Sequence, residues 1–448
     1  MDHGSDQPGA EPVQASVLLK LSGVAVVVGL ISGALAAGFV GVQHALSHWL
    51  WHSLPDALGE PHTPWWLVVA LPIIGAGLTV AALRLPGEGG HGPLDGLSLE
   101  VGPREVGSVA LAALAGLSFG AVLGPEAPLI AIGAAVGAGV MRAGAAPVRQ
   151  VMMIVGAMSA VGAIFGNPVV TAILLLELAV MAGPKLASMK VLVPSLVGLA
   201  AGYSLQVGVG GWVGLGESVL SLPGLASYPE IPVTDMVWAV PVSLLAAALA
   251  VLALRGASLW ARIGSARPAL LLMASGAVVG ISAVLVTAIT GVDPTLVVMS
   301  GQGAMTDYLK LSSVAVAVVV LVGKFVAYTA SLGGGFRGGQ IFPAVAMATI
   351  VATVVAIGSG EVVSAGLLAA AIAAAVAAAM RMPFTAVLLG VVLTIAAGGA
   401  VAVLAIVGAV IGLVARAAAD RRWPRLVAAE SVQTDPGGDA EGARNGKA

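Results

Sequence analysis

Cysteine is absent from this chain of 448 residues, so neither disulfide bonds nor thiolate chemistry contributes to its structure or function. Charge is scarce too: only 9% of the residues are Asp, Glu, Lys or Arg, whereas 58% are hydrophobic, and the mean hydropathy is +1.03. A water-soluble protein of this length needs far more charged surface. The formal net charge of -2 lacks the basic excess of nucleic-acid-binding proteins, so we expect no nucleic acid partner.

Apolar blocks fill most of the chain. Many reach the roughly 20 residues that a helix needs to cross a lipid bilayer, and they carry almost no charge. They predict an all-α polytopic membrane protein. Shorter blocks, such as 148–162 and 168–181, predict tilted, broken or re-entrant helices. The clearest long blocks are 17–40, 65–83, 236–254, 269–290 and 312–330.

Polar segments flank this membrane region. Residues 1–15 form an acidic tail without the basic start of a cleaved signal peptide, so we expect the first apolar block to be retained. The membrane domain is predicted at 16–419, and 420–448 is predicted to be a disordered polar tail. Arginines cluster after the last block, so the positive-inside rule places the C-terminus on the cytoplasmic side of the cell membrane. We expect the N-terminus on the same side. These arginines are Arg416, Arg421, Arg422 and Arg425.

Glycine and proline recur at a fixed distance. A shift of 215 residues superimposes four of these helix-breaking residues on four others, which predicts a duplicated membrane domain with halves at about 16–215 and 232–419. Duplicated domains with broken helices are typical of transporters and channels, whose sites lie where the broken ends meet. The matching pairs are Gly120 with Gly335, Gly124 with Gly339, Pro128 with Pro343 and Pro168 with Pro383.

Three Gly/Pro-rich breaks interrupt the apolar pattern, at 87–96, 123–128 and 333–344. Each break precedes an apolar segment that can form a helix. The N-termini of these three helices can therefore point toward one common site. Unpaired backbone N–H groups and the helix dipole make such a place an anion site without a full positive charge. This arrangement suits a small anion that must also be released rapidly.

Glu126 is the only charged residue in the segment 118–133. It follows the break at Gly124 and Pro125, at the expected N-terminus of a helix. Desolvation favours the neutral acid and the helix N-terminus favours the carboxylate, so the two effects oppose each other. An ionisable group inside a membrane domain is a functional candidate by default. The alternative is an acid that caps its helix and has no role in transport.

The breaks resemble the ClC family of chloride channels and proton-coupled chloride transporters. That family carries the segments GSGIP, GREGP and GxFxP, which are matched here by GHGP at 90–93, GPEAP at 124–128 and GQIFP at 339–343. FGNPVVTAILLLEL at 165–178 and MPFTAVLLG at 382–390 resemble two further family stretches. The resemblance covers about 18–418. It implies the ClC architecture with two inverted repeats, a homodimer, and transport of chloride or a similar small anion by a channel or a proton-coupled antiporter.

By this resemblance Glu126 is the gating glutamate and proton acceptor. The resemblance implies no cofactor and no metal. The anion-binding positions that it implies are Gly90, His91, Gly92, Gly124, Pro125, Ala127, Gly339, Gln340, Ile341 and Phe342.

The chain departs from the family pattern within these motifs. Pro125 and Ala127 stand where GREGP has Arg and Gly, and Pro125 removes one N–H donor. His91 stands in place of the serine whose hydroxyl contacts the central anion. A histidine can donate a hydrogen bond to an anion and can become a cation. The alternative is a solvated histidine that never meets the ion.

Further departures concern tyrosine and proton transfer. The family tyrosine near the end of the last membrane helix has no counterpart here, since none of the four tyrosines lies in that segment. Many proton-coupled members carry a second, inner glutamate where this chain has Leu178, whereas channels and some exchangers lack it. The preceding Glu177 is expected to be a structural acid at a helix end. For Lys324 we expect an ion pair or a side chain that reaches the membrane surface; the alternative is a role along the anion path. For Arg337 we expect a structural role, paired with a lipid headgroup or a nearby acid; the alternative is that it draws anions toward the path.

Two other classes of function were compared with this one. A transporter of another fold for a small organic anion fits less well, because three helix N-termini and one acid suit a small ion. A membrane-embedded enzyme needs a nucleophile or a metal. His44, His48 and His52 share the i, i+4 spacing of metal ligands, but we expect the helix to end at Pro55, before Asp56 can join them. We therefore expect neither enzyme activity nor a metal site.

Overall fold

The predicted all-α membrane architecture is confirmed by the structure, a computed structural model. Within the described residues, eight helices are long and apolar enough to cross a membrane, and six shorter apolar helices accompany them. No strand occurs in this part of the chain apart from one isolated pair of extended residues. The structure describes residues 14–60, 62–87, 89–94, 102–183, 186–209 and 221–423.

The helices fall into two sets along the chain. The first set is α1 (Ala15–His48), α2 (Leu54–Ala57), α3 (Trp65–Ala82), α4 (Val106–Ser118), α5 (Glu126–Val140), α6 (Ala146–Phe165), α7 (Pro168–Ala182) and α8 (Met189–Val209). The second set is α9 (Val233–Ile263), α10 (Pro268–Thr290), α11 (Met305–Leu309), α12 (Val314–Gly334), α13 (Ile341–Ser359), α14 (Ala365–Met380), α15 (Pro383–Thr394) and α16 (Val401–Arg422). A π-helical turn at Trp49–Ser53 and 3-10 turns at Pro294–Leu296 and Ile395–Ala397 complete the list.

The two sets are copies of one another. The offset of 215 residues separates the first residues of α5 and α13, and equally those of α7 and α15. The same offset separates the last residues of α1 and α9, and those of α6 and α14. Helix boundaries therefore extend the repeat that glycine and proline first indicated.

Gly124 and Gly339 lie where the two copies meet. The Gly124 amide donates to the Gly339 carbonyl at 2.9 Å, and the Gly339 amide donates to the Gly124 carbonyl at 2.6 Å, in an antiparallel pair. An antiparallel pair that exchanges both bonds has a local two-fold axis between its residues. Because the two glycines are equivalent in the repeat, this axis relates the two halves, and it brings the N-termini of α5 and α13 side by side.

Left-handed backbone also recurs at equivalent positions. Gly166 ends α6 with φ +56°, and its counterpart Arg381 ends α14 with φ +59°. Glycine adopts this conformation without strain, whereas other residues adopt it at a cost. Arg381 is therefore an exception among these pairs, the others being Gly120 with Gly335 and Gly183 with Gly398.

The expected helix end at Pro55 is wrong. The π-helical turn joins α1 to α2, and the helical path continues to Ala57. Proline has no N–H to offer the carbonyl of Trp51, four residues earlier. That carbonyl instead accepts a hydrogen bond from the Thr63 hydroxyl at 2.9 Å. An external donor and a widened turn thus allow the helix to pass the proline.

Lys324 supports a loop and meets neither expectation for it. The side chain is fully buried, so it does not reach the membrane surface, and no acid pairs with it among the described residues. Its ammonium donates to the carbonyls of Val298 and Met299, at 3.2 and 2.9 Å, beneath the ring of Tyr308. The Met299 amide then donates to the carbonyl of Gly120 at 3.0 Å. The lysine therefore steadies the approach to the second break.

Candidate functional site

Glu126 is the first residue of α5, and its side chain is almost completely buried. One carboxylate oxygen, Oε1, accepts a hydrogen bond from the backbone amide of Phe342 at 3.2 Å. Phe342 is the second residue of α13, so this amide has no partner within its own helix. An acid from the first half thus occupies the helix N-terminus of the second half, which is where a negative charge is stabilised.

The two paired glycines form the floor under this carboxylate. A β-carbon on Gly339 would stand 1.9 Å from Oε2 of Glu126, and one on Gly124 would stand 2.2 Å from it. Only glycine at both positions leaves room for the acid. Oε2 is buried and accepts no hydrogen bond from the described residues. Since a buried oxygen without a donor is unfavourable, the carboxylate is held by only one of its two oxygens.

Glu126 also lies in the wall of a cavity of about 150 Å³. Residues from all three breaks contribute to this wall, together with the ends of α6, α7 and α14. Of the ten positions expected to bind the anion, seven line the cavity: Gly90, His91, Gly92, Ala127, Gly339, Gln340 and Ile341. The cavity therefore joins the motifs that the sequence keeps far apart.

The three remaining positions lie beside the cavity rather than in its wall. Gly124 is held in the glycine pair, and Pro125 is the residue that precedes α5. The amide of Phe342 is occupied by Glu126, while its ring packs against that of Phe165 with centroids 6.1 Å apart. The side chain of Phe342 thus packs in the core, while its backbone amide binds the carboxylate of Glu126.

Two of the three expected helix N-termini meet at Glu126, those of α5 and α13. The helix expected directly after the first break falls on 95–101, outside the described residues, and the next described helix is α4. His91 lines the cavity with an exposed side chain, so it stands where the cavity opens at the surface of the protein. The sequence left this residue open between an ion ligand and a solvated histidine, and both remain compatible with that place.

Two side chains tie the third break to the first. Arg337 Nε donates to the carbonyl of Gly89 at 3.2 Å, and Gln340 Nε2 donates to the carbonyl of Pro93. For Arg337 the sequence predicted a bond to a lipid headgroup or a nearby acid; the Nε bond goes to a backbone carbonyl, and Arg337 also lines the cavity. These contacts hold the two loops together in the cavity wall.

Tyr328 approaches the site from α12 and was missed by the sequence reasoning, which looked for a tyrosine in the last segment. Its side chain is buried, and its hydroxyl donates to the carbonyl of Gln340 at 3.3 Å. Gln340 is the residue that precedes α13. The only sequence signal was a polar hydroxyl inside an apolar block shortly before the third break.

Glu177 acts as the structural acid that we expected. Its two oxygens accept hydrogen bonds from the amides of Phe384 and Thr385, both at 2.7 Å, at the N-terminus of α15. The next residue, Leu178, lines the same cavity as Glu126. The position of the family's inner acid thus opens on the cavity, but without a titratable group.

The candidate metal ligands of the sequence were His44 and His48, which lie in α1, and His52, which lies in the π-helical turn. His48 and His52 have ring centroids 5.2 Å apart, and the His48 Nδ1 lies 3.4 Å from the hydroxyl of Ser53. Among the described residues, no group of three His, Asp or Glu side chains could hold a metal ion.

Comparison with known proteins gives results consistent with this geometry. The chain is similar to the "Putative ion-transport protein YfeO" of Escherichia coli O7:K1, with 27% identity over 348 residues, which cover 74% of this chain and 78% of that protein. Its fold is similar to that of a slow cyanobacterial Cl⁻/H⁺ antiporter, with a TM-score of 0.75, 20% identity, and coverage of 93% of this chain and 99% of that one. A CLC-type fluoride/proton antiporter gives a TM-score of 0.68 at 16% identity, covering 91% and 98%.

The family model described as "Voltage gated chloride channel" matches residues 90–416. This match begins at the first break and includes both halves of the glycine pair, Glu126 and the whole cavity wall contributed by α14. The chain therefore belongs to the voltage-gated chloride channel family.

Proposed function

We propose that this chain carries chloride or a similar small anion across the cell membrane along its cavity, with Glu126 as the gate. The observation that carries the proposal is the bond between the Glu126 carboxylate and the Phe342 amide. That carboxylate is itself a small anion bound at a helix N-terminus, in the wall of a cavity that reaches water. The family is one of ion channels, which supports transport rather than enzyme activity.

Competition between two anions accounts for gating. While Glu126 is ionised, its carboxylate fills the space above Gly124 and Gly339 and uses the Phe342 amide. A second negative charge is excluded from that space by volume and by repulsion. Protonation removes the charge that holds the side chain on the amide, so the side chain can leave and the amide becomes available to the transported anion.

Backbone groups are the proposed ligands along the rest of the path. Residues of the first break and the residues from Gly339 to Ile341 line the cavity. The Gly339 amide is already bonded to the Gly124 carbonyl, so the amides of Gln340 and Ile341, at the start of α13, are the proposed donors. Pro125 has no N–H, so α5 offers one donor fewer than the family motif. His91 is proposed to donate a hydrogen bond to the anion at the cavity mouth. Weak, distributed donors of this kind bind an anion and still release it.

The test is chloride flux from proteoliposomes, measured for the wild type and for Glu126→Gln. Glutamine has the shape of the protonated acid and no charge. We expect wild-type flux to rise as the pH falls, because protonation opens the gate. The variant should keep substantial flux that no longer depends on pH.

Lys310→Gln serves as the matched control, since Lys310 forms an exposed ion pair with Asp307 and does not line the cavity. It should keep the wild-type pH profile. A wild-type pH profile in Glu126→Gln would refute the gate, and the absence of anion flux in the wild type would refute transport itself.

Assembly and orientation belong to the same proposal. Family resemblance supports a homodimer in which each copy has its own cavity. Arg421 and Arg422 in the last turn of α16 support a cytoplasmic C-terminus, and we place the N-terminus on the same side. Light scattering of the detergent-solubilised protein tests the dimer, and protease access to terminal tags in sealed, oriented vesicles tests the topology.

A further inference from the structure

Two buried side-chain oxygens of the cavity wall accept no hydrogen bond from the described residues. One is Oε2 of Glu126, and the other is Oε1 of Gln340. A buried acceptor without a donor is unfavourable, so both oxygens need an explanation. Glu126 can supply the missing donor itself, because a protonated carboxyl group carries an O–H.

The orientation of the Gln340 amide is set by its other end. Nε2 donates to the carbonyl of Pro93 in the first break. A carbonyl can only accept, so the nitrogen of the amide faces Pro93 and the oxygen faces elsewhere. Tyr328 donates to the backbone carbonyl of Gln340 and not to Oε1. Oε1 is therefore an acceptor held in a fixed place by the tie to the first break.

Glu126 and Gln340 start close together. A β-carbon on Gly339 would stand 1.9 Å from Oε2 of Glu126, so this oxygen lies over the residue directly before Gln340. Consecutive Cα atoms are 3.80 Å apart, and the Gln340 side chain therefore starts within about 7 Å of Oε2. The other oxygen, Oε1, is held by the amide of Phe342, two residues after Gln340. Side-chain rotation can thus bring the two groups together without movement of a helix.

We propose that Oε1 of Gln340 accepts a hydrogen bond from the protonated carboxyl group of Glu126, and that this bond holds the gate open. The inference rests on the proposed transport function and adds the place to which the gate moves. The ionised carboxylate binds the Phe342 amide. A proton from water converts Oε2 into a donor, the carboxyl group turns to Gln340, and the Phe342 amide becomes available to the transported anion. Two acceptors repel each other, so Gln340 recognises the protonated form alone.

Other titratable or charged groups surround this pair. Among the described residues, His91, Arg337 and Arg381 share the cavity wall, and Tyr328 and Lys324 approach from α12. Of these five, His91 is the group whose unperturbed titration falls near neutral pH. The comparison of variants is therefore made both in the wild type and in His91→Asn.

The first measurement is chloride flux from proteoliposomes against pH. Gln340→Met keeps the length of the side chain and removes its acceptor. The open state then loses a hydrogen bond, so more acid is needed to open the gate. We expect the midpoint of the pH profile to fall by about 0.5 to 1 pH unit, the equivalent of one hydrogen bond. In a Glu126→Ala background no carboxyl group is present, and Gln340→Met should leave the flux unchanged.

The second measurement detects the bond itself by infrared difference spectroscopy between acidic and neutral pH. The C=O band of the protonated Glu126 carboxyl group is identified as the band that disappears in Glu126→Gln. In Gln340→Met this band should move to higher wavenumber, because a carboxyl group that donates a hydrogen bond absorbs at lower wavenumber than a free one. A merely structural effect on the loops would not move it.

Two control variants separate the acceptor from other effects of the substitution. Gln43 also donates from Nε2, to the Ser47 hydroxyl at 3.1 Å, and lies outside the cavity wall, so Gln43→Met matches the chemical change. Ser108→Ala loosens the first break, because the Ser108 hydroxyl accepts from the Gly89 amide at 3.3 Å. Both controls should keep the wild-type midpoint and the wild-type band.

A lower midpoint together with a shifted band in Gln340→Met supports the acceptor. A band that stays in place overturns it whatever the midpoint does, and so does a midpoint that stays or rises. The proposal also fails if Ser108→Ala reproduces both changes. A wild type without chloride flux would instead defeat the transport function, and the infrared band would still report whether Gln340 binds the protonated acid.

Discussion

At Gly339 a β-carbon would meet Oε2 of Glu126 at 1.9 Å and its Cδ at 2.6 Å. These atoms belong to the end of a flexible side chain, so they can move away. The Cβ of Glu126, at 3.0 Å, would need only a small shift, whereas a direct clash with backbone could not be relieved. Gly339 itself does not adopt a left-handed conformation, so alanine is compatible with its backbone. We therefore expect a single methyl group at this position to displace the proposed gate and to leave the fold in place.

Gly339→Ala is expected to expel the Glu126 side chain from the glycine floor. Chloride flux at neutral pH should then rise towards the value that the wild type reaches at acidic pH, because the blocking carboxylate no longer fits. The measurement is proteoliposome flux across the acidic to neutral range.

Gly303→Ala is the control, since a β-carbon there meets nothing within 4 Å. Combining Gly339→Ala with Glu126→Gln should add nothing to Glu126→Gln alone. If Gly339→Ala retains the full pH dependence, the carboxylate does not act from the place where it is seen.

At the scale of elements, two acids of the first half hold two helix N-termini of the second. Glu126 accepts from α13 with one oxygen, while Glu177 accepts from α15 with both. The difference matters because a carboxylate whose two oxygens both accept hydrogen bonds would lose both bonds if it moved. We therefore expect Glu177 to be a fixed link between α7 and α15, and Glu126 is the acid that we propose to be released.

Glu177→Gln should lower stability without altering gating. Glutamine offers one acceptor oxygen where the carboxylate offers two, so one α15 amide loses its charged partner at a cost of about 1–3 kcal/mol. Thermal unfolding in detergent should show a reduced melting temperature. Flux per folded protein should retain the wild-type pH profile, and a profile as flat as that of Glu126→Gln would contradict the division of roles between the two acids.

For the whole molecule, the open question is whether protons accompany the anion. Glu126 and Leu178 line one cavity, and within its described wall Glu126 is the sole acid. A proton that leaves Glu126 towards Leu178 meets no carboxylate that could receive it. Water chains and the imidazole of His91 are the routes left for proton transfer along this wall.

We accordingly expect weak or absent proton coupling. With a chloride gradient across a planar bilayer or proteoliposome membrane, the current should reverse at the chloride equilibrium potential. A displaced reversal potential, with uphill proton movement driven by chloride, would contradict this. The group to replace next would then be His91, whose imidazole can carry a proton and lines the same cavity.

Local sequence properties determined much of this protein. Low charge and long apolar blocks specify membrane helices. In lipid no water can bond to the backbone, and a single segment satisfies its own N–H and C=O groups only as a helix. Glycine and proline mark where helices break, which is why the repeat was visible. At the start of α7, Asn167 and Pro168 act as expected, with the Asn167 side chain accepting from the Val169 amide at 2.9 Å.

The tertiary structure alone decided how these pieces meet. The partner of Glu126 is an amide 216 positions away, and backbone amides have no sequence signature. The Thr63 hydroxyl that carries the helix past Pro55, and the Tyr328 hydroxyl beside the third break, likewise depend on packing between separate elements. In the sequence Arg381 is only a basic residue two positions before a proline. Its left-handed backbone and its place in the cavity wall are visible only in the structure. Periodicity records which face of a helix is apolar, whereas contacts between helices arise only when their three-dimensional packing brings distant donors and acceptors together.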